Sequence, residues 1–174
     1  MTGRTHITLG AAAGLLIAAH LRADPVLCFL AGCLGGLLPD IDCPQSMISG
    51  WVPGSSLVMK LGRVRHRAFT HSILFIVLLV AAWFAATQRF IIPYPAAVSL
   101  FAGVASHILS DMLTPQGVML LYPSRRNWKA APGVILQAGK WFGIVELIVW
   151  LAGLAGIGFA VLIIAKINPP FLGG

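Results

Sequence analysis

The sequence has few charged residues, and most of what it predicts follows from that shortage. Only 10% of its 174 residues are Asp, Glu, Lys or Arg, whereas soluble domains contain about a quarter. Hydrophobic residues make up 58% of the chain. This composition argues against a soluble domain and predicts a membrane protein, in which chain length is counted in spans of about 20 apolar residues.

Cysteine is also scarce, and the three cysteines form no Cys-x-x-Cys pair. Cys28 and Cys33 lie inside an apolar stretch, which argues against a disulfide framework or a thiolate zinc site. The formal net charge of +7 comes from basic residues that stand between apolar runs. Because they form no basic stripe with interleaved aromatics, we expect no nucleic-acid partner.

Apolar segments organise the whole chain. The first two are short for a full crossing and rich in glycine, so we expect a closely packed hairpin that is tilted or re-entrant. A secretory signal is the weaker interpretation of the N-terminus, because the first segment continues through a tight turn into the second. The sequence predicts an all-α, polytopic membrane bundle, a single domain over residues 1–174, with about five helices: Ile7 to Leu21, Pro25 to Leu38, Ala68 to Thr87, Pro95 to Met112 and Trp141 to Ile164.

The distribution of Lys and Arg indicates the orientation of this bundle. If five segments are threaded through a bilayer, only Arg22, Arg89 and Lys166 lie on the side opposite the N-terminus. By the positive-inside rule we expect the N-terminus to be cytoplasmic. We expect the membrane to be a bacterial-type inner membrane. The other nine basic residues share the cytoplasmic side: Arg4, Lys60, Arg63, Arg65, Arg67, Arg125, Arg126, Lys129 and Lys140.

Histidine and acidic residues are few, and most of them gather on the same side. Ionisable groups near a bilayer are costly and usually mark function. His107 and Asp111 are four residues apart, so a helix places both on one face. Mixed imidazole and carboxylate ligands are typical of zinc, manganese or iron sites. We therefore predict a zinc, manganese or iron site held by residues from four segments: His6, Asp40, Asp42, His66, His71, His107 and Asp111.

Each of these residues also has a simpler interpretation. His107 and Asp111 could form a buried hydrogen bond, and Asp40 and Asp42 could end a helix. His66 could belong to an interfacial group of cations, and His6 could cap its helix. The polar residues lie at one end of the segments and form no chain across the middle, so an ion transporter is the weaker alternative.

Four motifs together resemble the YdjM-like family of membrane-bound metal-dependent hydrolases. They are Thr5-His6, Gly-Gly-Leu-Leu-Pro-Asp-Ile-Asp-Cys-Pro-Gln-Ser (35–46), His-Arg-Ala-Phe-Thr-His-Ser (66–72) and Ser-His-Ile-Leu-Ser-Asp-Met-Leu-Thr-Pro-Gln-Gly (106–117). The family is in turn similar to zinc-dependent phospholipase C and zinc nucleases. The resemblance implies a phospholipase C-like metal site made of His6, Asp40 or Asp42, His66 or His71, His107 and Asp111. Those relatives use further late histidines, and this chain has none after His107.

The resemblance also implies hydrolysis, with a metal-activated water acting on a phosphoester of a membrane lipid or lipid-linked substrate. Asp42 or Glu146 could serve as the catalytic base. Arg65, Arg67, Arg125 and Arg126 could hold phosphate oxygens, although each could equally be a topology signal. Ser46, Thr70, Ser72 and Thr114 are expected to orient ligands. A structural metal site without catalysis is the main alternative, and the sequence does not indicate an oligomeric state.

Overall fold

The computed structural model describes residues 1–43, 46, 48, 67–114, 116–130 and 142–167. These residues contain five α-helices and no β-strand, which confirms the predicted all-α class. Two short 3₁₀ helices lie at Leu38–Asp42 and Phe69–His71. The α-helices are α1 (Gly3–Leu21), α2 (Pro25–Leu37), α3 (Ile73–Thr87), α4 (Tyr94–Met112) and α5 (Phe142–Ile167).

Polar residues at the helix ends set several of these boundaries. Asp24 caps α2, because its Oδ1 accepts hydrogen bonds from the backbone N–H groups of Val26 and Leu27 at 2.8 and 3.1 Å. Ser72 caps α3 in the same way by accepting from Phe75 N at 3.2 Å. Helix α3 therefore begins at Ile73 and not at Ala68 as predicted, since the second 3₁₀ helix occupies the residues before the cap.

Glycines bring three helix backbones into direct contact. A Cβ atom added at Gly10 of α1 would overlap the carbonyl of Gly32 in α2, and one at Gly36 would overlap the carbonyl of His6. On the other side of α2, a Cβ at Gly35 would overlap the carbonyl oxygen of Leu100 in α4. A Cβ at Gly103 of α4 would overlap the carbonyl oxygen of Gly32 in α2. Helices α1, α2 and α4 therefore form the tightly packed centre of the protein, as small-residue seams do in membrane proteins.

The remaining helices lie outside this centre and expose apolar side chains. Helix α5 packs along α1, while α3 makes few contacts with α4. Helix α3 has no buried residue, and large side chains of α5 such as Leu162 and Phe159 are 71% and 61% exposed. Two stretches, Pro25–Asp42 and Glu146–Lys166, are long and apolar enough to cross a membrane. Exposed apolar surface of this extent is expected where lipid is the solvent.

The segment between α4 and α5 is described over residues 116–130, where two of its residues pair through their backbones. Val118 and Trp128 pair through two backbone hydrogen bonds of 3.1 and 2.7 Å, which closes residues 118–128 into a loop. Of residues 44–66, the structure describes only Ser46 and Ile48. His66 and Arg65 therefore lie outside the described residues.

The close packing of helix backbones at these glycines can be tested with a glycine-to-alanine substitution at two positions. We expect Gly32→Ala to destabilise the protein by about 1–3 kcal/mol, because the new methyl group overlaps the backbone of α1. Gly158→Ala is the matched control, since a Cβ there meets no atom within 4 Å. Thermal unfolding in detergent measures both, and equal unfolding temperatures for the two variants would refute the close packing.

Candidate metal centre

Three histidines and two aspartates converge at one end of the α1, α2 and α4 centre. His6 lies in the first turn of α1, Asp40 in the first 3₁₀ helix and His71 in the second. His107 and Asp111 lie one turn apart near the end of α4. The three histidines are fully buried, and the side chains of Asp111 and Asp40 are 1% and 14% exposed. The predicted His107 and Asp111 pair thus shares a site with residues distant in sequence.

The distances among their donor atoms suit a metal ion. His71 Nε2 and His107 Nε2 are 3.1 Å apart, and Asp40 Oδ1 is 3.9 and 3.6 Å from them. Asp111 Oδ2 is 3.5 Å from His71 Nε2, and its Oδ1 is 3.5 Å from His6 Nε2. Two nitrogens bound to one tetrahedral zinc ion are about 3.3 Å apart, given Zn–N bonds of about 2.0–2.1 Å. The donor atoms of Asp40, His71 and His107 therefore lie close to the separations that a single ion requires.

The backbone of α2 determines which nitrogen of His107 carries the hydrogen. His107 Nδ1 is 2.7 Å from the carbonyl oxygen of Gly36. A carbonyl oxygen only accepts, so Nδ1 is the donor, and in the neutral imidazole the lone pair is then on Nε2. A metal-binding histidine is commonly oriented by such a hydrogen bond from its other nitrogen.

A chain of two hydrogen bonds likewise determines which nitrogen of His71 carries the hydrogen. The Thr70 hydroxyl donates its one hydrogen to Asp42 Oδ2 at 2.8 Å, so its oxygen accepts from His71 Nδ1 at 3.0 Å. Thr70 is fully buried, and Asp42 is 6% exposed. The lone pair of neutral His71 is therefore on Nε2 as well.

Ser110 supplies the hydrogen-bond partner for Nδ1 of the third histidine, His6. Its hydroxyl donates to the carbonyl of His107 at 2.8 Å and is 3.1 Å from His6 Nδ1, which must then be the donor. The His6 ring stacks on the His107 ring with centroids 3.6 Å apart. All three histidines thus present Nε2 lone pairs to Asp111, at 3.5 Å for His6 and His71 and at 3.9 Å for His107.

This convergence is unfavourable unless a cation lies among the donor atoms. With their lone pairs facing, the Nε2 atoms of His71 and His107 have no hydrogen between them to share. In the part of the chain that the structure describes, His6 Nε2 is buried without a hydrogen-bond partner. Buried polar atoms of this kind call for an ion, a proton or water. The residues present therefore fit a divalent metal.

Two overlapping groups of residues could hold that metal. His6, His107 and Asp111 form one group, and Asp40, His71 and His107 form the other. His107 belongs to both, but its single Nε2 lone pair binds one ion at a time. A second ion would therefore depend on His6 and on Asp111, whose two oxygens face different histidines.

Cationic groups also contact Asp111. Arg67 Nε is 3.0 Å from Asp111 Oδ2, and the ammonium group of Met1 is 3.1 Å from Oδ1. Arg67 further donates to Thr114 Oγ1 and Gln116 Oε1 at 2.9 and 3.0 Å. Its backbone has a φ of 63°, an uncommon left-handed conformation for a residue with a side chain. Arg67 was predicted to hold a substrate phosphate, and in the structure its guanidinium contacts Asp111, Thr114 and Gln116.

The remaining predicted site residues that the structure describes belong to neither candidate group of metal ligands. Asp42, predicted as ligand or base, lies behind His71 and holds Thr70. Glu146, predicted as a base or extra ligand, accepts from Thr2 N and Thr5 Oγ1 at 2.6 and 2.8 Å and so ties α5 to α1. Arg125 and Arg126 are exposed, and Arg126 stacks over the Trp128 ring at 5.0 Å. The predicted ligand His66 and phosphate-binding Arg65 lie outside the described residues.

Sequence reasoning missed two groups that the geometry brings in. Ser110 was not considered, although it is three residues after His107 and therefore on a neighbouring part of the same helix face. The carbonyl of Gly36 was not considered because a backbone acceptor leaves no sequence signal. Thr70, in contrast, was predicted to orient a ligand, and it contacts His71.

The chain is similar to bacterial proteins of known sequence. It matches the family described as YdjM inner membrane protein over residues 1–168. It is 39% identical to the YvsG protein of Bacillus subtilis over 71% of this chain and 74% of that protein. It is 37% identical to inner membrane protein YdjM of Escherichia coli over 66% of this chain, which spans only 59% of that relative. No solved structure matches the chain.

Substitutions at Thr70 test whether the hydrogen-bond chain behind His71 matters for metal binding. We expect Thr70→Val to weaken zinc binding by about 10–100-fold, because valine has the same shape but cannot accept from His71 Nδ1. Thr70→Ser keeps the hydroxyl and should bind zinc nearly as well as the wild type. Competition with a chromophoric chelator measures both affinities, and equal affinities for the Val and Ser variants would contradict the assignment.

Proposed function

The chain belongs to the YdjM inner membrane protein family, and on that premise we propose that it is a membrane-bound, metal-dependent hydrolase. One or two divalent ions, zinc first among them, are held by His6, Asp40, His71, His107 and Asp111. The single observation that carries the proposal is the common orientation of the three histidines. Each donates from Nδ1 to a fixed acceptor, so each presents Nε2 to the centre.

The make-up of the donor set favours zinc. Imidazole nitrogens combined with carboxylate oxygens suit zinc well, while manganese and iron use similar ligands. Cys43 lies beyond the first 3₁₀ helix and is not a member of either candidate group. Thiolate ligation is therefore not needed to explain the centre.

A bound divalent ion would supply a nucleophile at neutral pH by acidifying water, and it would polarise an ester or phosphoryl oxygen. The protein's own groups then have separable tasks. Thr70 and Ser110 hold two of the imidazoles in place, and Arg67 fixes the carboxylate of Asp111. Asp40 has the most exposed side chain among the five residues, which favours it as the group next to an entering substrate.

A lipid phosphoester is the substrate class that best fits the surroundings. The centre lies at the polar end of helices whose other surfaces are apolar and exposed. The candidate span of α5 begins at Glu146, which contacts the same turn of α1 that carries His6. A centre at that level would face the headgroup region of a bilayer.

A structural metal site is the second candidate, and one observation favours it. His6, His71 and His107 have no exposed surface, as is common where a metal only stabilises the fold. A catalytic site needs an open coordination position for water or substrate, and a structural site has none. The two functions therefore differ in whether the metal-loaded protein turns over substrate.

For orientation, we propose that the centre and the N-terminus are cytoplasmic and that five helices cross the membrane. The proposal is supported by the distribution of Lys and Arg, nine of which share the side of the N-terminus in that arrangement.

Hydrolysis is tested on purified protein with a phospholipid substrate. The wild type is expected to contain zinc and to release the headgroup phosphate, and His107→Ala should lose the metal and at least about a hundredfold of the activity. His20→Ala is the matched control, because His20 is exposed at the other end of α1. Stoichiometric zinc without turnover in the wild type would support the structural alternative and refute the hydrolase.

Orientation is tested with an enzymatic reporter fused after residue 174. Five crossings from a cytoplasmic N-terminus place that reporter outside the cytoplasm. A reporter that is active only in the cytoplasm would contradict the five-crossing arrangement.

A further inference from the structure

A cavity of about 580 Å³ lies between the first turn of α1 and the start of α5, outside the metal centre. Its wall includes Thr5, whose neighbour His6 belongs to the metal centre. Arg4, Gly143, Glu146, Leu147 and Trp150 also line it. None of the roles described above accounts for an open space at this position.

One face of α5 forms a wall of the cavity. Gly143, Glu146, Leu147 and Trp150 follow the spacing of three and four residues that aligns side chains along a helix. Among the described residues, a Cβ at Gly143 would meet no atom within 4 Å, which leaves space for a larger side chain at that end of the cavity. Trp150 lies one turn beyond Glu146, about 6 Å further along the helix axis. The wall is therefore polar at Glu146 and apolar deeper in the membrane.

Two opposite charges line this cavity without neutralising each other. Arg4 is exposed, and Arg4 and Glu146 form no ion pair among the described residues. Both hydrogen bonds that Glu146 accepts, from Thr2 N and Thr5 Oγ1, use Oε1. Its other oxygen makes no further hydrogen bond within the described ranges. A ligand with one negative and one positive group would complement both residues.

We propose that the cavity binds a phospholipid with an amine-bearing, zwitterionic headgroup. Arg4 contacts the phosphate, Glu146 Oε2 accepts from the ammonium group, and an acyl chain lies along Leu147 and Trp150. The candidate span begins at Glu146, which places the two charges at headgroup depth and Trp150 near the interface that tryptophan favours. This inference concerns binding, and it holds whether or not the metal centre hydrolyses a lipid.

Native mass spectrometry of the detergent-purified protein tests the charge complementarity. The probes are phosphatidylethanolamine and phosphatidylglycerol with identical acyl chains, which differ in the amine. The wild type should retain phosphatidylethanolamine in preference, and Glu146→Gln should reduce that preference by roughly five- to tenfold. The glutamine oxygen can still accept from Thr2 and Thr5, so the variant changes the charge and keeps both hydrogen bonds. Arg4→Gln should weaken retention of both lipids.

A second pair of variants tests the position. Gly143→Phe fills the open end of the cavity and should reduce lipid retention, while Gly158→Phe, at another exposed and unobstructed glycine of α5, should not. Equal retention of the two lipids by the wild type would overturn the proposal, and so would an unchanged preference in Glu146→Gln. If Gly143→Phe does not fold, the proposal is tested by Glu146→Gln alone, through the ratio of phosphatidylethanolamine to phosphatidylglycerol that this variant retains.

Discussion

Direct backbone contact at glycines is the constraint on which the rest of this structure depends. Gly10 and Gly14 of α1, Gly32 and Gly36 of α2 and Gly103 of α4 leave no space for a Cβ atom between the helices. Without side chains between them, the helices approach closely enough for Gly36 O to reach His107 Nδ1 and for the His6 ring to stack on His107. The same contact that packs the helices therefore also positions the histidines.

Burial explains why the centre is organised around hydrogen bonds from Nδ1. A fully buried imidazole needs partners for both nitrogens, since an unsatisfied polar group costs about 1–3 kcal/mol. The protein supplies a partner for each Nδ1: a carbonyl, a threonine and a serine. It supplies none for the Nε2 of His6 within the described residues, although that atom is equally buried. An arrangement that satisfies one nitrogen of each ring and directs the other to shared carboxylates is the one that a metal centre requires.

Local patterns predicted the helical class, and all five residues that converge were among the predicted ligands. Apolar runs predicted the five helices to within a few residues, and the four-residue spacing of His107 and Asp111 predicted a shared face. The separate roles of Asp40 and Asp42 could not be predicted, since two carboxylates two residues apart look alike until a 3₁₀ helix turns one toward His107 and the other toward Thr70. Glu146 and Arg67 carry charges that suit catalysis, and only tertiary contacts reveal that one ties two helices together and the other binds Asp111.

The central claim is that three imidazoles and two carboxylates bind a divalent cation, and X-ray absorption at the zinc K-edge of zinc-loaded protein tests it most directly. The account predicts a first shell of nitrogen and oxygen at about 2.0–2.1 Å with the outer-shell scattering of at least two imidazoles. Sulfur scattering at about 2.3 Å, or a shell without imidazole, would contradict it.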